Sequence, residues 1–215
     1  MRQIEKNNIK IHLGTVVIAE MVDKVKPDVV IIATGATPSI PDIPGVGSKN
    51  VFTAHDVLDA KVGISATQRV TILGGFSVGC ETASYLAAKG CEVTIVEHFP
   101  FANLNTGAFT NNRIDRVRKL VADENIEIIC EADAENITEK GTQILVRNAE
   151  GRYTYEKKRF IEADAIVLAL GVKSVNELAG QLEDKVGQLF VVGDAKGPRN
   201  IADAIFEGAT AAMRI

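Results

Sequence analysis

Cysteine is scarce in this chain. Cys80, Cys91 and Cys130 are an odd number at wide spacing, with no CxxC pair. That excludes a disulfide framework, a cysteine zinc site and a closely spaced redox dithiol, and leaves buried thiols in a reducing cytoplasm as the reading. Histidine is equally sparse, and His12, His55 and His98 fall at no metal-ligand spacing. Excess positive charge is absent: 24 Lys and Arg against 28 Asp and Glu leave a net charge of −4 and a pI near 5.5. Neither nucleic acid nor an anionic membrane is therefore an expected partner. No stretch approaches the ~18 uninterrupted apolar residues of a membrane span. The N-terminal MRQIEKNNIK is too polar for the apolar core of a signal peptide. Tryptophan is missing and aromatics reach only 5%, yet 46% hydrophobic and 24% charged residues are the proportions of a soluble globular protein, which rules out disordered and collagen-like classes. At 215 residues, one large domain or two small ones can bury a real core.

What is present is a run of short β-branched segments alternating with helical ones. Asp28 to Ala33 (DVVIIA) reads as a buried parallel strand ending at Thr34-Gly35. Pro38 to Gly47 holds three prolines and two glycines and is expected to be an extended connection. A short helix over Ala54 to Ala60 follows, with Thr53 as its N-cap. Arg69 to Leu73 (RVTIL) is the next strand and runs into Gly74-Gly75. Val78, Ala83, Leu86 and Ala87 mark a helical face, and Lys89-Gly90 supplies the stop. Glu92 to Val96 (EVTIV) closes a βαβ unit. After an Asn- and Thr-rich loop from Phe99 to Asn112, Ile114, Val117, Leu120 and Val121 predict an amphipathic helix. Its arginines Arg113, Arg116 and Arg118 read as a solvated face. From Ile126 onward IEIIC, TQILVRN and RYTYEKKRF predict an antiparallel meander, with a hairpin turn at Glu150-Gly151. AIVLAL (Ala165 to Leu170) and LFVV (Leu189 to Val192) are further buried strands ending at Gly171 and at Gly193-Asp194. The last helix is expected to bury Ile201, Ile205, Ala209, Ala212 and Met213.

An apolar strand that stops at glycine and opens a helix gathers backbone N–H groups at the positive end of a helix dipole, which suits a pyrophosphate. Gly74, Gly75, Phe76, Ser77, Val78 and Gly79 (GGFSVG) are the strongest instance. Gly74 and Gly79 match the outer glycines of GxGxxG in strand–turn–helix context, while Phe76 replaces the middle glycine that normally lets the backbone approach the pyrophosphate. The acidic residue expected about 20 positions on is Glu97, whose carboxylate would take both ribose hydroxyls and repel a 2′-phosphate. The simpler alternative is a glutamate that merely ends a strand at the surface. For Asp194 the alternative is a helix N-cap.

The runs ATGATPSIPDIPGV, VTILGGFSVGCETASYLAAKGCEVTIVE, VLALG and VVGDAKGPRNIADAIFEG, in this order and spacing, resemble the flavoprotein reductases with two dinucleotide domains. The likeness is greatest to the C-terminal reductase half of the NADH:flavin oxidoreductases, a group that includes 2,4-dienoyl-CoA reductase, 2-enoate reductase and trimethylamine dehydrogenase. It extends over essentially the whole chain. The resemblance implies an α/β, three-layer Rossmann-like FAD/NAD(P)-binding fold with a small antiparallel meander. Residues 64–165 would form the NAD-binding domain, inserted between two parts of an FAD-binding domain, residues 1–63 and 166–215. It implies NAD at Gly74 to Gly79 and Glu97, with Glu81 and, more weakly, Lys173 toward the nicotinamide. Ala33-Thr34-Gly35 and Ala169-Leu170-Gly171 would be crossover segments. Gly193-Asp194 would face FAD, the aspartate bonding the ribityl chain.

Two departures qualify the likeness. The family's FAD fingerprint, its catalytic flavin barrel and its iron–sulfur cysteines have no counterpart in this sequence, and Phe76 breaks the NAD fingerprint. In trimethylamine dehydrogenase the equivalent domain holds ADP. The expectation is therefore a cytoplasmic fragment of an NADH:flavin oxidoreductase with no catalytic acid, base or nucleophile of its own, or else a non-catalytic ADP/NAD-binding module. Its partners would be NADH, the missing FAD/FMN-bearing part, and a second copy in a homo-oligomer. By itself it is expected to hold no flavin.

Overall fold

A computed structural model describes residues 6–7, 9–100, 126–147 and 155–215. The helix expected through Ile114 to Val121, its three arginines and the Glu150-Gly151 turn lie outside the described residues, as does most of the Phe99–Asn112 loop. In chain order the elements are α1 (Ala19–Val25), β1 (Val29–Ile32), β2 (Ala36–Pro38), β3 (Val51–Thr53), α2 (Ala54–Leu58), β4 (Arg69–Leu73), α3 (Ser77–Ala87) and β5 (Glu92–Val96). They continue with β6 (Glu127–Ile129), β7 (Ala132–Thr138), β8 (Gly141–Arg147), β9 (Tyr155–Glu162), β10 (Ala165–Leu168), β11 (Val172–Ser174), α4 (Glu177–Leu182), β12 (Gln188–Val191) and α5 (Ile201–Ala212). The chain divides into two compact units, Met1–Thr37 with Lys173–Ile215, and Pro38–Val172.

The Pro38–Val172 unit has three layers. A parallel sheet of order β3-β10-β4-β5-β6 forms the middle. Strand alternation sends Val70, Ile72, Val93, Ile95 and Val167 to one side, where they pack with Cys80, Ala83 and Leu86 of α3. The intervening positions Leu73, Val96, Ile166 and Leu168 pack on the other side with Ile137, Ile144 and Ile161 of the antiparallel sheet β7-β8-β9. Strands apolar on both faces are what a covered parallel sheet requires. Thr53 caps α2 as expected, its hydroxyl accepting from the Asp56 N–H at 3.1 Å. Gly90, with φ +92°, ends the turn after α3.

Two details differ from expectation here. IEIIC does not enter the meander: Glu127–Ile129 pairs in parallel with β5 and completes the main sheet. The first meander strand is instead ADAENIT, which a hydrophobicity pattern passes over because only Ala132 and Ile137 are buried along it and a register shift falls between Ala134 and Asn136. On α3 the buried face is Gly79, Cys80, Thr82, Ala83 and Leu86, and Val78 is exposed. Close approach at Gly79 sets this rotation.

In the other unit β1 and β12 pair in parallel, Ile32 opposite Val191, and Ala19, Val22, Ile32, Leu182 and Ala195 form a small core. The expected burial of α5 is not met. Only Ala211 is buried along it, while Ile201, Ile205, Phe206 and Met213 are exposed, Ile201 at 81%. A short 3-10 turn, Gly193–Ala195, precedes α5, whose N-cap is Asn200, accepting from the Asp203 N–H at 3.0 Å. Asp194 is thus not that helix's cap. Glu207, midway along α5, reaches back to accept the Gly193 N–H at 2.8 Å and to pair with Lys196 at 3.0 Å and with Arg199. The Arg199 and Lys196 hydrogen bonds hold the Glu207 carboxyl down at about 2.

Two measurements follow from these contacts. A Cβ at Gly79 would stand 1.9 Å from the Gly74 carbonyl oxygen, whereas at Gly63 nothing lies within 4 Å. Alanine in a helix normally gains ~1 kcal/mol over glycine, so Gly79→Ala reverses the usual sign, losing roughly 1–3 kcal/mol in urea unfolding, while Gly63→Ala is near neutral. For Glu207 the folded value lies below the ordinary carboxylate value of 4.5, so its tie is intact above that pH and is lost as pH falls toward about 2. Protection of the Gly193 amide against hydrogen exchange should fall through that window, and Glu207→Gln should flatten the dependence.

Candidate functional site

The carboxyl ends of β4, β5 and β10 come together, and the sequence puts its glycines there. Because β4 has β5 on one side and β10 on the other, the chain order reverses at β4, the place where open α/β sheets bind ligands. Gly74 leaves β4 with φ +102° and donates its N–H to the Val96 carbonyl at 2.9 Å; a Cβ there would sit 2.5 Å from the Ala169 carbonyl oxygen. Gly75 is pressed against Glu97 and Ile95, each 3.2 Å from where its Cβ would be. Gly79 seats the first turn of α3 directly on Gly74. That helix begins with no side-chain cap and no acidic residue in its first turn, leaving a positive helix end at the glycine turn.

Glu97 follows β5 and is 2% exposed, so it is not a surface strand terminator. Its Oε2 accepts the Gly75 N–H at 2.5 Å and its Oε1 accepts the Phe99 N–H at 2.8 Å. Each carboxylate oxygen keeps further acceptor capacity for a hydroxyl. Phe76 carries its ring outward, 39% exposed, in an edge contact of 5.8 Å with the ring of Phe99. The thiols nearby are inert at neutral pH: burial first, and then the Glu97 carboxylate, pushes Cys80 and Cys130 up to about 11. Cys80 and Cys91 are buried as expected, and Cys130 is only half-buried.

Just beyond, His98 Nδ1 and Asp133 Oδ1 are 2.7 Å apart, and Arg147 pairs with Asp133 at 3.1 Å and with His98 Nε2 at 2.8 Å. The Arg147 side chain is 10% exposed and engaged within the cluster, so it is not presented to an incoming phosphate.

In the other unit the segments Ala33-Thr34-Gly35 and Gly193-Asp194 leave the carboxyl ends of the paired strands β1 and β12, with the Val192 N–H bonded to the Ile32 carbonyl at 3.0 Å. Gly35 (φ +75°) and Gly193 (φ +61°) both take left-handed backbone. The Gly35 carbonyl accepts the Val175 N–H at 2.9 Å, the Thr34 hydroxyl donates to the Val175 carbonyl, and Ser174 Oγ donates to the Asp194 carbonyl at 2.7 Å. Gly171 (φ +82°) accepts the Ser39 N–H at 3.0 Å in the Pro38–Val172 unit. Ser77 opens α3, and Glu81 and Lys173 are exposed. Phe99 and Glu207 were not foreseen. Phe99 offers no motif, and Glu207 shows only as the second of two acids in a largely apolar helix. Among the described residues no His/Cys/Asp/Glu group could hold a metal ion, and no helix is long and apolar enough to cross a membrane.

The family model for pyridine nucleotide-disulphide oxidoreductases matches residues 1–208. An NADH oxidase of Thermoanaerobacter brockii is 35% identical over 99% of the chain and 32% of that protein, and a cinnamate reductase of Clostridium sporogenes is 29% identical over 96% of the chain and 29% of that protein. Among solved structures, 2-naphthoyl-CoA reductase in complex with 2-naphthoyl-CoA superposes with a TM-score of 0.83 and 31% identity, over the whole chain and 31% of that structure's chain. The chain thus spans about a third of the length of these relatives. A matched sequence, a three-layer fold and glycine turns at the ends of parallel strands all agree: the chain belongs to the pyridine nucleotide-disulphide oxidoreductase family, whose members use FAD and NAD(P)H.

Proposed function

We propose that the chain binds NADH at Gly74–Gly79, with Glu97 on the ribose, and serves NADH-to-flavin hydride transfer in a protein of its relatives' size. The observation that supports this most is the Glu97–Gly75 hydrogen bond, 2.5 Å long, which builds the acidic residue and the glycine turn into one buried unit. The uncapped start of α3 fits a pyrophosphate, and Glu97 fits a ribose diol. Residues 64–165 would be the NAD part; residues 1–63 and 166–215 would be the FAD part. There the left-handed Gly193 turn, whose N–H Glu207 accepts, carries the exposed Asp194 carboxylate, which accepts the Arg199 N–H at 3.4 Å and would also take a ribityl hydroxyl. When bound, the two cofactors supply the hydride donor and acceptor. The chain's own residues orient them: Ala33-Thr34-Gly35 and Ala169-Leu170-Gly171 as crossover segments, and Glu81 at the nicotinamide end.

The finer placement among NADH:flavin oxidoreductases related to 2,4-dienoyl-CoA reductase, 2-enoate reductase and trimethylamine dehydrogenase is supported by the NADH oxidase, cinnamate reductase and naphthoyl-CoA reductase likenesses. The final acceptor is set outside this chain. The exposed apolar residues of α5 favour a covering partner, the FAD/FMN-bearing part or a second copy. A second reading, a structural module that holds ADP or NAD, is favoured by Phe76 in place of the middle glycine. The absence of hydride transfer with NADH bound would select it.

NADH should bind more tightly than NADPH, because the 2′-phosphate meets Glu97 while Arg147 is engaged elsewhere. A like-charge contact of this kind costs on the order of 1–3 kcal/mol, roughly tenfold to a hundredfold in affinity. Titration following nicotinamide fluorescence measures both constants. Glu97→Gln should narrow the ratio and lower stability by ~1–3 kcal/mol, since one of the two buried N–H groups then faces an amide donor. Equal constants in the unaltered chain would count against the assignment.

A further inference from the structure

We propose that the Phe76–Phe99 pair is the specificity element of the glycine turn, discriminating against the pyrophosphate of a dinucleotide and keeping its affinity low. The inference rests on the dinucleotide reading of that turn.

It starts from which positions the fold itself dictates. Gly74 and Gly79 are required by neighbouring atoms, Ala169 and a positive φ for the first and the Gly74 carbonyl for the second, and a Cβ at Gly75 would crowd Glu97 and Ile95 at 3.2 Å. Position 76 is different. Phe76 sits at the N-cap of α3 with φ −74° and ψ −170°, backbone that any residue adopts. Folding makes no demand for glycine there. Only a ligand that needs close backbone approach makes one, and this chain places an aromatic ring at that point.

The ring is not core filling either. Phe76 and Phe99 are 39% and 42% exposed, and they meet edge to face, with planes at 75°. Phe99 is held in turn: its ring meets His98 edge to face at 4.8 Å, His98 is bonded to Asp133, and its own N–H is bonded to Glu97. Phe76 therefore leans on an anchored neighbour. The two rings also bridge the same two segments whose N–H groups hold the Glu97 carboxylate, the glycine turn and the end of β5. A phosphate drawn to the start of α3 meets, at position 76, a side chain where glycine would let the backbone approach it, and Phe99 braces that side chain. A nucleoside, lacking phosphate, makes no such demand on Phe76.

The experiment measures dissociation constants of the chain for NADH, ADP and adenosine, by calorimetric titration, in the unaltered protein and in Phe76→Gly, Phe76→Leu and Phe99→Ala. Far-UV circular dichroism confirms folding of each. Phe76→Gly should bind NADH and ADP about tenfold more tightly, with adenosine unchanged within about twofold. Phe76→Leu, which keeps a branched side chain at position 76 but loses the ring contact, should tighten NADH no more than Phe99→Ala does. Phe99→Ala parts the pair without touching the glycine turn, so it should also tighten NADH, by about threefold, and carries the test should Phe76→Gly fail to fold. A folded Phe76→Gly with NADH affinity unchanged or weaker, while the unaltered chain binds NADH, overturns this inference and leaves the dinucleotide reading standing. A gain shared equally by adenosine overturns it as well. No binding of any of the three nucleotides to any variant removes the dinucleotide reading itself.

Discussion

A buried carboxylate that accepts two backbone N–H groups is the contact on which the rest of the site depends. Glu97 is nearly inaccessible, and taking an ion out of water is costly unless hydrogen bonds replace the solvent. Gly75 and Phe99 provide them. The price of that arrangement appears at position 75, where a Cβ would crowd Glu97 and Ile95 at 3.2 Å. Gly74 must then turn with positive φ against Ala169, and Gly79 must lie on Gly74 so that α3 can start at the end of β4. One ionised group thus fixes the close packing of β4, β5 and α3 around a single turn.

That turn was legible in the sequence because each of its glycines answers a steric demand, and steric demands leave a residue pattern. The strands of the parallel sheet were legible for a related reason. VTIL, EVTIV and AIVL are apolar at successive positions because both faces are covered, by α3 and by the antiparallel sheet. The helix start at Thr53 could be read from the hydroxyl alone. ADAENIT could not be read, since its pairing rests on backbone hydrogen bonds and two buried side chains rather than on an apolar run. IEIIC looked like a meander strand because its apolar residues fit either sheet, and only the tertiary context sends it beside β5.

The site residues divide along the same line. Outer glycines, Glu97 and Gly193-Asp194 carry motif spacing. Phe99 and Glu207 act through contacts between segments distant in sequence, and nothing in their local surroundings announces them. Phe99 gives Glu97 its second N–H, and Glu207 holds the Gly193 amide together with Lys196 and Arg199. The α5 face shows the opposite failure. Its apolar periodicity was plain, and the expected burial followed from it, yet Ile201, Ile205 and Phe206 face outward in the structure. A hydrophobic stripe states that something should cover it and not which chain supplies the cover.

Amide chemical-shift mapping with NADH tests Gly74–Gly79 and Glu97 as a nucleotide site without reliance on any substitution. Saturable shifts should concentrate at Gly75, Gly79 and Phe99, the amides of the turn and of the segment that holds Glu97. Shifts centred on other residues, or a spectrum unchanged at millimolar NADH, would contradict that assignment.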